Sequence, residues 1–147
     1  MNDVKIGSTH LTRTVGAALL VAGIVCATSF PVTAHDEKGD GEAKVLFSQK
    51  LPNAPGKTLT AVLVTYGPGE KTQKHHHAGS VFAFVVSGMI RSENSVTGPA
   101  RDYRAGESFF EPDGSVHLVS ANASATEPAS LLAIFVADDG ARLTTMD

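Results

Sequence analysis

Cysteine is nearly absent from this 147-residue chain, where Cys26 stands alone, and tryptophan is missing altogether. A lone thiol has no partner within the chain, so no internal disulfide holds the fold. There is no surplus of basic over acidic residues, 12 against 15. Neutralising a phosphate backbone needs such a surplus, so nucleic acid is excluded as the natural partner. Long amphipathic helical patterns are lacking as well, and the length allows one domain at most. What is plentiful is punctuation: 14 glycines and 7 prolines mark many short elements joined by turns.

The one long apolar run reads as an address. Lys5 and Arg13 precede an uncharged stretch from Val15 to Phe30, Pro31 follows, and Val32-Thr33-Ala34 offers small or β-branched side chains to a signal peptidase. Its 16 residues fall at or below the short end of bilayer-spanning length, so no stable membrane insertion is expected after processing. The sequence divides into a signal peptide at 1–34, cleaved after Ala34, a polar leader at 35–42 and a domain at 43–147. The mature chain, periplasmic or secreted, loses Cys26 and keeps 10 basic against 14 acidic residues. Thiol chemistry goes with the signal.

Within the domain, β-type runs alternate with turn signals. The runs are 43–49, 58–66, 81–86, 89–94, 101–104, 108–111, 116–120 and 131–136. The punctuation includes Gly67-Pro68-Gly69, Ser87-Gly88, Gly98-Pro99 and Pro112-Asp113-Gly114. Eight short strands at this spacing predict an all-β antiparallel sandwich or barrel. Two runs, VFAFVV and LLAIFV, are apolar at every position. Each is expected to bury both strand faces, with the N-terminal strand or a second subunit as the outer cover, and a homodimer is the favoured assembly.

The chemistry lies in the histidines. Side chains two apart on a strand share a face, so His75 and His77 point together while His76 points away. Their backbones are about 7 Å apart, close enough for both imidazoles to converge on one ion. His117 follows a Pro-x-Gly turn and starts a strand that could bring it beside them. Three neutral imidazoles suit Fe, Cu, Ni or Zn.

Both histidine groups sit in glycine frames that resemble the two motifs of the cupins. In the first, Gly69 is followed by five residues, His75-x-His77, three residues, Val81, six residues and Gly88. In the second, Gly106 is followed by five residues, Pro112-x-Gly114, two residues and His117. The resemblance implies a double-stranded β-helix, or jelly-roll barrel, with His75, His77 and His117 as metal ligands. Two positions depart from the pattern. Val81 stands where the family usually has a ligating glutamate, and Ala121 stands at the family's asparagine, with Asn122 next along.

Without the glutamate, the resemblance implies a three-histidine site of the kind found in some cupin dioxygenases. Three neutral imidazoles leave the full charge of a divalent ion, which favours an anionic chelating substrate. Fe(II) is the favoured ion, with Zn, Cu, Ni and Mn as alternatives, because an exported chain takes its metal outside the cytoplasm. The expected activity is that of a non-haem Fe(II) dioxygenase. A small-molecule-binding protein without catalysis, and a metal-dependent lyase or isomerase, are the other two readings. Two more side chains are candidate participants. Glu111 ends the run SFFE on the face of Phe109, and replaces the missing carboxylate if that face is inward; otherwise it is an exposed glutamate. Gln73 is expected on the face of His75 and His77, reaching either the cavity or its rim.

Overall fold

Alternation of side chains across short strands accounts for the architecture. The structure, a computed structural model, describes residues 41–147, and none of them is helical. The strands in chain order are β1 (Glu42–Lys50), β2 (Lys57–Tyr66), β3 (Lys71–Thr72), β4 (His75–His77), β5 (Ser80–Ser87), β6 (Met89–Asn94), β7 (Gly98–Arg104), β8 (Ser108–Glu111), β9 (Val116–Asn122), β10 (Ala129–Asp138) and β11 (Thr144–Met146). All eight expected runs are strands, and β3, β4 and β11 join them. The expected export signal at 1–34 and the expected leader up to residue 40 lie outside the described residues.

Every pairing is antiparallel. One sheet has five strands in the order β1-β2-β10-β5-β8; the other runs β11-β4-β9-β6-β7, with β3 also paired to β9. This is the jelly-roll, or double-stranded β-helix, expected from the sequence. Gly98 and Pro99, read as punctuation, instead open β7. That strand lies at a sheet edge, where a proline's missing N–H need cost no ladder bond.

The core lies between the sheets. Along β10, Ala129, Leu131, Ala133, Phe135 and Ala137 are buried in strict alternation, and β5 contributes Val81, Ala83 and Val85. Each buried Val, Leu or Phe side chain among these contributes about 1.5–3 kcal/mol relative to leaving it in water, and each alanine methyl about 0.8 kcal/mol.

The expectation that VFAFVV buries both faces is corrected within the single chain. Phe82, Phe84 and Val86 point outward, 43%, 38% and 49% exposed, and Phe110 and Val136 lie exposed on neighbouring strands. The N-terminal strand does not cover them: β1 pairs edge-on with β2 and is exposed along its whole length. Period-two geometry sends every second residue of a strand outward whatever its polarity.

Candidate metal centre

β4 is three residues long and consists of the three histidines. It is held on both sides, with His75 opposite His117 and His76 opposite Val116 on β9, and Thr144 opposite His77 on β11. Directly opposed residues on one sheet face carry Cβ atoms about 4.5–5.5 Å apart. The register therefore delivers His117 to His75, while alternation delivers His77. Ring centroids are 4.7 Å apart for His75 and His77, 5.0 Å for His75 and His117, and 6.2 Å for His77 and His117. One ligating atom from each of the three lies within 4.8 Å of the others.

The turn after β4 is fixed from two directions. Gly79 has a φ of +75°, and a Cβ there would sit on the Val136 carbonyl, so only glycine lets the turn from β4 into β5 run this close to β10. Its N–H donates to Asp113 Oδ1 at 3.0 Å, tying the turn after His77 to the turn that precedes His117.

Backbone carbonyls orient two of the rings. His75 Nδ1 lies 2.6 Å from Gln73 O, and His77 Nδ1 lies 3.2 Å from Leu143 O. A carbonyl only accepts, so each Nδ1 carries the proton and each Nε2 presents a lone pair. The two Nε2 atoms are 3.2 Å apart. Two lone pairs at that distance repel, and a cation placed against both removes the repulsion. Burial holds His77 down to about 4, with His75 adding to the effect. Burial likewise holds His117 down to about 3, with His75 and His77 adding. These two rings are neutral ligands at neutral pH, and the three-imidazole donor set fits a divalent metal ion.

His117 places Nε2 2.8 Å from Ser92 Oγ and Nδ1 3.1 Å from Glu111 Oε2. Glu111 thus turns inward with the partly buried Phe109 and reaches the histidines, where parity left its face open. It is 3% exposed, and burial pushes its carboxyl up to about 7, against a hydrogen bond from Asn94 that acts the other way. Of the two positions expected for Gln73 the cavity is not met: its side chain is exposed and off the cavity wall, and only its carbonyl serves the site. β3 ends at Thr72 and β4 starts at His75, so alternation does not carry across the gap. His76 faces outward, as expected, with Nδ1 3.1 Å from Asp147 Oδ1.

Two residues of the site carry no signal in the sequence. Ser92 on β6 contacts His117, and Tyr66 is buried with its hydroxyl 2.7 Å from Thr72 Oγ1 and 2.8 Å from Ser120 Oγ. Their faces follow from cross-strand register, which spacing along the chain does not give. Asn122, one past the family's asparagine position, donates from Nδ2 to Gly67 O and Glu127 O, joining two loops at one end of the barrel.

The histidines open on a cavity of about 210 Å³ walled largely by apolar side chains, among them Val62, Leu131 and Phe135. Phe135 packs edge-on against His77 with centroids 5.1 Å apart. No lysine or arginine lines this cavity among the described residues. An anionic guest there meets hydroxyls such as those of Tyr66 and Ser120, but a full positive charge only from a bound ion.

Comparison with known structures supports the fold. A conserved protein with a double-stranded β-helix domain from Klebsiella pneumoniae aligns with a TM-score of 0.57 at 21% identity, covering 73% of this chain and 84% of that one. The DMSP lyase DddQ of Ruegeria pomeroyi aligns at 0.59 and 20% identity, over 76% of this chain and 54% of the lyase. A structure of oxalate decarboxylase aligns at 0.56 and 24% identity, over 74% of this chain and 28% of that enzyme. At such identities the likeness concerns the fold alone. No curated protein matches the sequence. The profile of the cupin domain matches residues 62–135, a span that holds all three histidines and half of the sequence, and the chain belongs to the cupin domain family.

Proposed function

We propose that this chain is an exported, metal-dependent enzyme, with His75, His77 and His117 holding the ion. The favoured activity is that of a non-haem Fe(II) dioxygenase acting on a small anionic chelating substrate. The observation that carries the reading is the pair of Nε2 lone pairs facing each other at 3.2 Å, with His117 beside them, in a cavity without other cationic groups. A divalent ion supplies Lewis acidity toward an anionic oxygen and, where it is iron, the electrons that dioxygen chemistry draws on. The chain's own contribution is orientation and exclusion of water. Carbonyls of Gln73 and Leu143 set the tautomers, and the apolar wall favours the organic body of a substrate over solvent.

Cavity size narrows the guest. Its volume is below the roughly 300 Å³ at which sites for drug-sized ligands begin, which points to short β-diketones and small carboxylates ahead of polycyclic compounds. The test is elemental analysis of the isolated protein, followed by oxygen uptake with those compounds under Fe(II) loading. Near-stoichiometric metal with substrate-dependent uptake is expected. Less than about 0.1 metal per chain after loading refutes the metal site.

Tyr66 favours a second reading. A phenol buried in the cavity wall and hydrogen-bonded to two hydroxyls can exchange a proton with a bound guest, as lyase or decarboxylase chemistry requires. Metal retained without oxygen uptake, together with loss of turnover in Tyr66→Phe, supports this alternative.

The exposed Phe82, Phe84 and Phe110 support the homodimer. Phe82 and Phe110 are paired across β5 and β8, and clustered exposed aromatics of this kind mark association surfaces. Light scattering of the purified chain is expected to give twice the chain mass, and Phe82→Asp/Phe84→Asp to give a monomer with its metal intact.

A further inference from the structure

Resting on that metal reading, the geometry points to Glu111 as a fourth ligand of the centre, a carboxylate supplied by β8 directly across from Val81.

Burial is the first argument. Glu111 is the only acidic side chain buried among the described residues. Its neighbours are Asn94 Nδ2 at 3.4 Å, His117 Nδ1 at 3.1 Å and His77 Nε2 at 3.9 Å. Among the described residues, no lysine or arginine comes within ion-pair distance of it. An ionised carboxylate buried without a cation is among the costlier arrangements a fold can keep; the cost is removed either by holding the proton or by a positive charge supplied from elsewhere.

Position is the second. The proton on His77 Nδ1 leaves the Nε2 lone pair facing inward, and Oε2 of Glu111 lies on that inward side, between His77 and His117. The Nε2 atoms of His75 and His77, one ring nitrogen of His117 and Oε2 of Glu111 thus gather electron-rich atoms around one point. Such a set is a cation cage. Ser92 is compatible with it, since a hydroxyl that accepts from His117 Nε2 leaves Nδ1 with its lone pair on the same side.

Register is the third. Val81 and Glu111 are direct partners of the β5–β8 pair, both inward and nearly inaccessible at 1% and 3%. Opposed Cβ atoms lie about 4.5–5.5 Å apart, so a glutamate on either strand enters the same part of the cavity. Asn94 braces this one, and is itself held through Nδ2 by Ser115 Oγ at 2.9 Å.

The consequence is chemical. A fourth donor that is anionic lowers the charge of a divalent site by one, and an oxygen donor raises affinity for hard ions such as Mn(II) and Fe(II) relative to Zn(II). The competing role is orientation, in which Glu111 accepts from His117 Nδ1 and never meets the ion.

The two roles separate on ion selectivity. Mn(II) and Zn(II) dissociation constants are measured with a competing chromophoric chelator for the isolated chain, for Glu111→Gln, for Glu111→Gln/Val81→Glu and for His75→Ala/His117→Ala. Ligation is expected to make Glu111→Gln weaken Mn(II) at least about tenfold more than Zn(II). Returning the carboxylate from β5 in the double variant restores Mn(II) to within about threefold of the parent. Equal losses for both ions, unchanged Mn(II) binding, or no restoration overturn the proposal while leaving the metal reading intact. Failure of the parent chain to bind either ion overturns both readings. Infrared difference spectra of the unsubstituted chain, with glutamate carboxyls labelled by carbon-13, give an answer that needs no variant. A carboxylate stretch that shifts on Mn(II) loading is expected, and the absence of a shift overturns ligation by Glu111.

Discussion

The two sheets of the barrel divide the labour. Ten of the eleven buried hydrophobic residues lie on the five-stranded sheet, with Ile90 on β6 as the exception. The six-stranded sheet sends polar groups inward instead: His75 and His117, with Ser92, Asn94, Ser120 and Asn122 around them. Apolar packing on one wall supplies stability, and that allows the facing wall to carry buried imidazoles and hydroxyls that contribute little packing energy. No buried side-chain polar atom among the described residues lacks a hydrogen-bond partner, so the polar wall avoids the penalty of unsatisfied groups. Glu111 is the acidic residue that crosses this division, facing inward from the apolar sheet.

The comparison breaks most visibly at the histidines. His75→Ala/His117→Ala is expected to take bound metal from near one per chain to below about 0.1 while the chain still unfolds cooperatively, because the opposite wall is untouched. Elemental analysis and urea unfolding of the same preparation check both halves. The converse substitution, Leu131→Ala on the apolar wall, is expected to cost about 2–5 kcal/mol in unfolding free energy. Its folded fraction should bind metal at unchanged stoichiometry. Loss of metal at conditions where Leu131→Ala remains folded contradicts the division.

Acid sharpens the contrast, since the polar wall titrates. His77 and His117 in the metal-free chain are held at about 4 and about 3, below their ordinary 6.5. On acidification the unfolded chain takes up their protons first, so stability present above pH 6.5 is lost as pH falls toward 4. Glu111 acts in the opposite sense, raised from 4.5 to about 7. It makes the unfolded chain release a proton that the folded chain keeps, which lowers stability as pH rises through that window. Two groups outweigh one, and the metal-free protein is expected to weaken between pH 6.5 and 4.5 and more steeply below. Urea midpoints in excess chelator measure this, and the His75→Ala/His117→Ala chain should show a flatter profile.

The smallest effect belongs to Gln73→Ala. Only its carbonyl meets His75, so metal affinity should stay within about twofold of the parent and stability within about 0.5 kcal/mol.

Different parts of this outcome were legible to different degrees. Eight runs of β-type residues became eight strands because turn chemistry at positions such as Pro112-Asp113-Gly114 is local. His75 and His77 share a face because alternation is local too. Gln73 does not reach the cavity because two residues outside any strand separate Thr72 from His75, and parity stops there. Phe82 and Phe84 were legible as alternating partners of Val81 and Ala83, but which set faces inward is a property of the whole sheet.

By itself the sequence determined eight of the eleven strands, the glycine frames and the identity of three metal-ligating candidates, each read from a contiguous stretch of no more than about twenty residues. Tertiary structure alone decided the pairing of His75 with His117, the contact of Ser92 with His117 and the inward turn of Glu111 opposite Val81. Those depend on register between strands far apart in the chain, and register is fixed only when both sheets bury their apolar faces together.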